Sequence, residues 1–84
     1  MKAIPKVKSL ANNQLIITTD DGIYFQSYKS IIVFIPFKGK TQLDQKYWKY
    51  SNTTGRYRNA FLNETQKDTQ RKIDTGIYEL TNLN

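Results

Sequence analysis

The sequence predicts an α+β fold: an antiparallel sheet of about four or five strands, with two short helices inserted before the C-terminal strand. Three observations carry that expectation. The first two thirds consist of short β-favouring runs, two of them joined through Asp20-Asp21-Gly22. Between Ser51 and Gly76 the apolar spacing changes to the three-and-four rhythm of a helix. After Gly76, "IYELTNL" returns to the alternation of a strand.

Each element has its own signal. A first strand is expected across Ala3 to Leu10, with Pro5 interrupting its hydrogen bonding. Gln14 to Thr19 and Ile23 to Tyr28 form the next two, because Asp-Gly favours a tight hairpin. In the second of these, Ile23, Phe25 and Ser27 alternate with Tyr24, Gln26 and Tyr28, so one face is wetter. Ile31 to Ile35 is a continuous apolar run and reads as a central strand, ended by Pro36. Lys38-Gly39-Lys40 is a turn, and Thr41 to Ser51 holds another strand.

A helix capped by Thr53 follows, with Thr54, Tyr57 and Phe61 on one face, although Gly55 weakens it. Thr65-Gln66-Lys67-Asp68 resembles a capping box for a second helix. Within it Asp68 can pair with Lys72 one turn on, and Gly76 supplies the stop after Asp74. The final strand runs from Ile77 to Leu83. With no internal repeat, low-complexity stretch or linker, residues 1–84 read as one small α+β domain.

Composition removes whole classes of chemistry. The chain has no histidine and no cysteine, so the usual zinc donors and the Ser-His and Cys-His nucleophilic pairs are absent. None of the four glycines sits in a phosphate-cradling pattern. The seven carboxylates fall in expected turns and on a solvated helix face. The expectation is a protein that is not an enzyme, with no catalytic residues, no metal and no cofactor. No apolar run exceeds the five residues of Ile31 to Ile35, and no export signal follows Met1, so the expected location is cytoplasmic, away from membranes.

The formal charge of +6 favours an anionic partner, and its distribution is uneven. Residues 36–60 carry Lys38, Lys40, Lys46, Lys49, Arg56 and Arg58 against Asp44 alone. Within that span, "KYWKYSNTTGRYR" interleaves rings with cations. As a strand it would place Lys46, Trp48 and Tyr50 on one face and Tyr47 and Lys49 on the other. Trp48 and Tyr50 then pack with Tyr57 and Phe61, which leaves Tyr47 and Lys49 outward beside Lys38, Lys40 and Arg56. Tyr24 and Tyr28 either extend that surface or pack beneath the helices. Rings for bases and cations for phosphates suit nucleic acid, whereas lysines on a sheet edge also serve to block edge-to-edge pairing.

The stretches "WKYSNTTGRYRNAFLNET" and "RKIDTGIYELTNLN" resemble a small domain of unknown function that recurs in proteins of tailed phages and other mobile elements. The resemblance rests on Trp48, Tyr50, Ser51, Thr53, Thr54, Tyr57, Phe61 and Leu62, then Gly76, Tyr78, Leu80, Leu83 and Asn84. Lys49 stands where the pattern leads one to expect an acidic residue or Asn. The resemblance implies an α+β fold and a phage-type origin, for which the expected cytoplasmic location is the host cell's, and assigns no activity. The expected function is a non-catalytic, phage-type accessory protein binding nucleic acid through Lys38, Lys40, Tyr47, Lys49, Arg56 and Arg58. The alternative is a protein-binding inhibitor or modulator of a host enzyme or defence system.

Overall fold

Short connections between successive strands build a meander, and only the last strand arrives by a long crossover through both helices. The computed structural model describes residues 4–84. In chain order these form β1 (Lys6–Ala11), β2 (Gln14–Thr18), β3 (Gly22–Ser27), β4 (Ser30–Pro36), β5 (Gln42–Asp44), α1 (Asn52–Leu62), α2 (Gln66–Asp74) and β6 (Glu79–Thr81). One sheet holds all six strands in the order β1-β2-β3-β4-β5-β6. Neighbours are antiparallel except β5 and β6, where Leu43 pairs with Leu80 in parallel. The α+β class is as expected, with one or two strands more than the sequence suggested.

The Asp20-Asp21-Gly22 hairpin forms, closed by the Thr19 amide donating to the Gly22 carbonyl at 2.9 Å. Glycine is needed at position 22 because β4 passes directly over it: a Cβ would lie 2.2 Å from the Ile35 carbonyl oxygen. The first strand begins at Lys6, after Pro5, and Ala3 lies outside the described residues. The fifth strand is only three residues long, and positions 45–50 turn instead of extending.

Alternation along β3 sorts the two faces of the sheet. Phe25 and Ser27 point under the helices, where Phe25 stacks on Phe61 at 5.5 Å and the Ser27 hydroxyl meets that of Thr54 at 2.8 Å. The buried core is Phe25, Ile32, Val33, Leu43 and Trp48, with Leu10, Tyr57, Phe61, Leu62, Ile73 and Tyr78 packed around it. Each of the five buried side chains contributes about 1.5–3 kcal/mol by leaving water, and the partly buried ones less. On the opposite face Tyr24 stacks on Phe34 at 4.3 Å, and Val7, Ile17, Tyr24 and Phe34 form one row across four strands.

The helix ends differ in how they were capped. Ser51, not Thr53, caps α1, accepting from the Thr54 amide, and Asn63 closes it in the left-handed region. The Thr65–Asp68 capping box of α2 forms as expected, and Gly76 (φ 80°) ends the turn beyond it. Asp68 pairs with Arg71 at 3.6 Å, because Lys72 is drawn instead to Glu64 at 2.6 Å. The last strand keeps only Glu79–Thr81 of the expected Ile77 to Leu83, since the Tyr78 amide is bonded back to the Lys72 carbonyl. Among the described residues, no helix is long and apolar enough to cross a membrane.

Two carboxylates expected on solvated surface are instead structural anchors. Glu64, with its side chain 6% exposed, accepts from Lys72 and Tyr78 through Oε1 and from Thr69 through Oε2, at 2.6–2.7 Å. Burial raises its pKa, but these bonds and the Lys72 charge outweigh it and hold the carboxyl below its ordinary value. Asp44 is 1% exposed and behaves alike: burial is opposed by the Leu83, Tyr47 and Lys46 amides and the Asn84 side chain, and the net shift is downward. A carboxylate depressed on folding stabilises above its unfolded pKa and loses that contribution as pH falls through the folded one. Melting temperature is therefore expected to be flat from pH 7 to about pH 5 and to fall below about pH 4. Glu64→Gln should melt lower at pH 7 and lose less on acidification; parallel curves for the two proteins would contradict the assignment.

Candidate functional site

The stretch from Lys46 to Tyr50 is shaped by one carboxylate. Asp44, the last residue of β5, accepts from the amides of Lys46 and Tyr47 through Oδ2 at 3.1 and 2.9 Å, an Asx-type turn that bends the chain out of the sheet. Strand alternation then no longer applies. Trp48 drops into the core at 4% exposure, Tyr47 is half-buried against it, and Tyr50 is left 47% exposed. The expected burial of Trp48 holds, whereas Tyr50 and Tyr47 exchange the roles expected of them. Tyr50 meets the edge of Tyr47 at 5.3 Å.

Arg58 departs furthest from expectation. It is fully buried and is no surface contact. Its guanidinium lies 5.2 Å from the centre of the Trp48 ring and donates to the Trp48 carbonyl, to Asn59 Oδ1 at 2.9 Å and to Gln66 Oε1 at 3.2 Å. Burial pushes its pKa down, opposed by nearby Glu64. The inner face of α1 is Thr54, Gly55 and Arg58, with Tyr57 and Phe61 at its margin.

The remaining expected contacts fall at two ends of the sheet. Lys38 and Lys40 lie in the β4–β5 loop, exposed, at the end where the Phe37 amide reaches the Asp21 carbonyl at 3.0 Å. Asp20 and Asp21 share that end, so its charge is balanced. Tyr47, Lys49 and Arg56 lie at the other end, past the C-terminus of β5 and on the first turns of α1.

This second end has further members: Lys29 and Lys46, which sequence reasoning did not assign to the site, and Tyr28, for which it left exposure and burial open and which is exposed. Lys29 and Tyr28 form the tip between β3 and β4, tied to α1 by the Ser27–Thr54 bond. Lys46 is exposed there too. Lys46, Lys49 and Arg56 each lie over a ring, those of Tyr47, Trp48 and Tyr57, at 5.0–5.3 Å, which holds the cations near the surface. The N-terminus of α1 opens on the same end and has no acidic residue in its first turn, so the positive end of its dipole is uncompensated. Among the described side chains Asp44 is the carboxylate at this end, and its oxygens are occupied by the Lys46, Tyr47 and Leu83 amides. The arrangement is a positive pole with exposed rings, suited to an anion that also carries flat surfaces. The signal that could have found it was Asp44 itself, two residues before a ring-rich run.

Residues 1–76 match a family of unknown function, DUF8033. No curated protein matches the chain, and no solved structure does.

Proposed function

Starting from a chain that belongs to the DUF8033 family of unknown function, we propose a non-catalytic accessory protein of phage type that binds nucleic acid through the positive pole beside α1. The observation that carries this reading is the coincidence of exposed Lys29, Lys46, Lys49 and Arg56 with an uncompensated helix N-terminus, around a carboxylate already occupied by amides. Lys49 and Arg56 are the phosphate contacts and Tyr47 supports the ring surface. Lys38 and Lys40 are at most a secondary contact, beside Asp20 and Asp21. The phage-type assignment is supported by the resemblance carried by Trp48 to Leu62 and Gly76 to Asn84.

The test is a fluorescence-anisotropy titration of labelled DNA and RNA at several salt concentrations. Binding should weaken steeply with salt, and Lys49→Ala and Arg56→Ala should each lower the log–log salt slope by about one. Lys38→Ala should leave the slope nearly unchanged. No binding at low salt, where attraction to a +6 chain is strongest, discards the reading.

A second reading, a protein-binding modulator of a host enzyme or defence system, is favoured by a different surface. The row Val7, Ile17, Tyr24 and Phe34 carries no charge, and Val7 is 61% exposed. On that reading binding is nearly salt-independent and Val7→Asp abolishes it.

A further inference from the structure

Tyr28 occupies a backbone conformation that an aromatic residue rarely adopts. Its φ is 56°, in the left-handed region where glycine or asparagine is the ordinary choice, and it sits at the tip of the β3–β4 hairpin. The ring gains little burial in return, being 46% exposed. Two hydrogen bonds to its backbone hold the tip: the Tyr28 amide donates to the Asn13 carbonyl at 2.7 Å, and the Gln26 side chain donates to the Tyr28 carbonyl at 2.8 Å. The fold thus maintains an exposed ring where glycine would be less strained.

Tyr50 is the second such ring. It stands immediately before the Ser51 cap of α1, 47% exposed, and its edge contact with Tyr47 fixes its orientation. Thr54, bonded to Ser27, brings the two tyrosines to the same end of the molecule. Exposed cations lie beside both, Lys29 next to Tyr28 and Lys49 next to Tyr50.

Neither helix presents an unopposed row of exposed cations to a duplex groove. The exposed Lys67 and Arg71 of α2 share it with Asp68 and Asp74, and α1 presents Arg56 alone. A duplex shields its base faces within the stack, so rings standing free have nothing to stack on there. Unpaired bases do offer their faces, and stacking on a ring is tolerant of sequence.

We infer that the positive pole takes single-stranded nucleic acid, with Tyr28 and Tyr50 as stacking platforms for unpaired bases and Lys29, Lys46, Lys49 and Arg56 on the phosphates. This rests on the nucleic-acid reading above and names its substrate class.

The test uses the full chain and three labelled probes of about twelve nucleotides: a deoxythymidine oligomer, an abasic strand of the same charge and a duplex of the same length. The deoxythymidine strand should bind at least about tenfold more tightly than the other two. Tyr28→Gly and Tyr50→Leu should each weaken its binding on the order of five- to a hundredfold, with the salt slope unchanged. Tyr28→Gly should melt no lower than the parent, which separates lost stacking from lost structure. Equal binding of all three probes, or tyrosine variants that bind as the parent does, would overturn the single-strand assignment. Phosphate binding would then still stand if Lys49→Ala weakened every probe. Absence of binding by every probe at low salt overturns the nucleic-acid reading and this inference with it.

Discussion

Replacing Trp48 with alanine is expected to destabilise the domain by about 3–5 kcal/mol, the range for removing a large aromatic from a core. Trp48 is 4% exposed and packs with Phe25, Ile32, Val33 and Leu43. Its ring also lies close to two cations, Arg58 at 5.2 Å and Lys49 at 5.0 Å, so truncation removes those contacts as well. A domain of this size has a total stability of about 5–15 kcal/mol, and the loss translates to roughly 12 to 40 °C in melting temperature. Trp48 is the one tryptophan of the chain, so its emission reports unfolding directly in the parent. Trp48→Phe keeps most of the apolar volume and should cost less than half as much. An alanine variant that melts with the parent would place the ring in solvent.

Arg58→Ala is expected to cost about 2–4 kcal/mol, and for a different reason. The guanidinium satisfies the Trp48 carbonyl and the oxygens of Asn59 and Gln66 at once, joining the turn after β5 to both helices. Truncation leaves the buried Trp48 carbonyl without a donor, at about 1–3 kcal/mol, and removes the part-buried bonds to Asn59 and Gln66 and the packing of the side chain, partly offset because a charge no longer has to be desolvated. Arg58→Lys should recover less than half of the loss, since a single ammonium cannot reproduce the planar fork. In nucleic-acid titrations of the folded fraction, either variant should keep the parent's salt slope, unlike Lys49→Ala. Thermal melts that superimpose on the parent's, together with a reduced salt slope, would return Arg58 to the surface.

Where sequence was a good guide, the signal was local and backbone-based. Asp20-Asp21-Gly22 gave a hairpin because the turn chemistry acts within four residues, and Thr65–Asp68 gave a capping box because both bonds are internal to the first turn of α2. It misled where a side chain reached further. Positions 46–50 are rich in rings, which favour strands, yet Asp44 captures two amides and turns the chain. Arg58 reads as a surface cation beside Tyr57, although it lies one turn from Thr54 on the inward face of α1. Glu64 reads as solvated for the same reason, and its three donors come from α2 and the approach to β6. Of the expected site, Tyr47, Lys49 and Arg56 are brought to one end, Lys38 and Lys40 to the other, and Arg58 to the interior.

The parallel pairing of β5 with β6 sets the order in which the molecule assembles. Strands β1 to β4 join through hairpins, each closing on the order of microseconds once its turn forms. Leu43 and Leu80, by contrast, become partners only across the whole of α1 and α2. Entropy of closing that long segment is lost before the contact returns anything, so this closure is the expected slow step of folding. Glu64, Lys72 and Tyr78, which join the end of α1, α2 and the approach to β6, lie inside that segment, and their bonds shorten the stretch of free chain that the closure has to order.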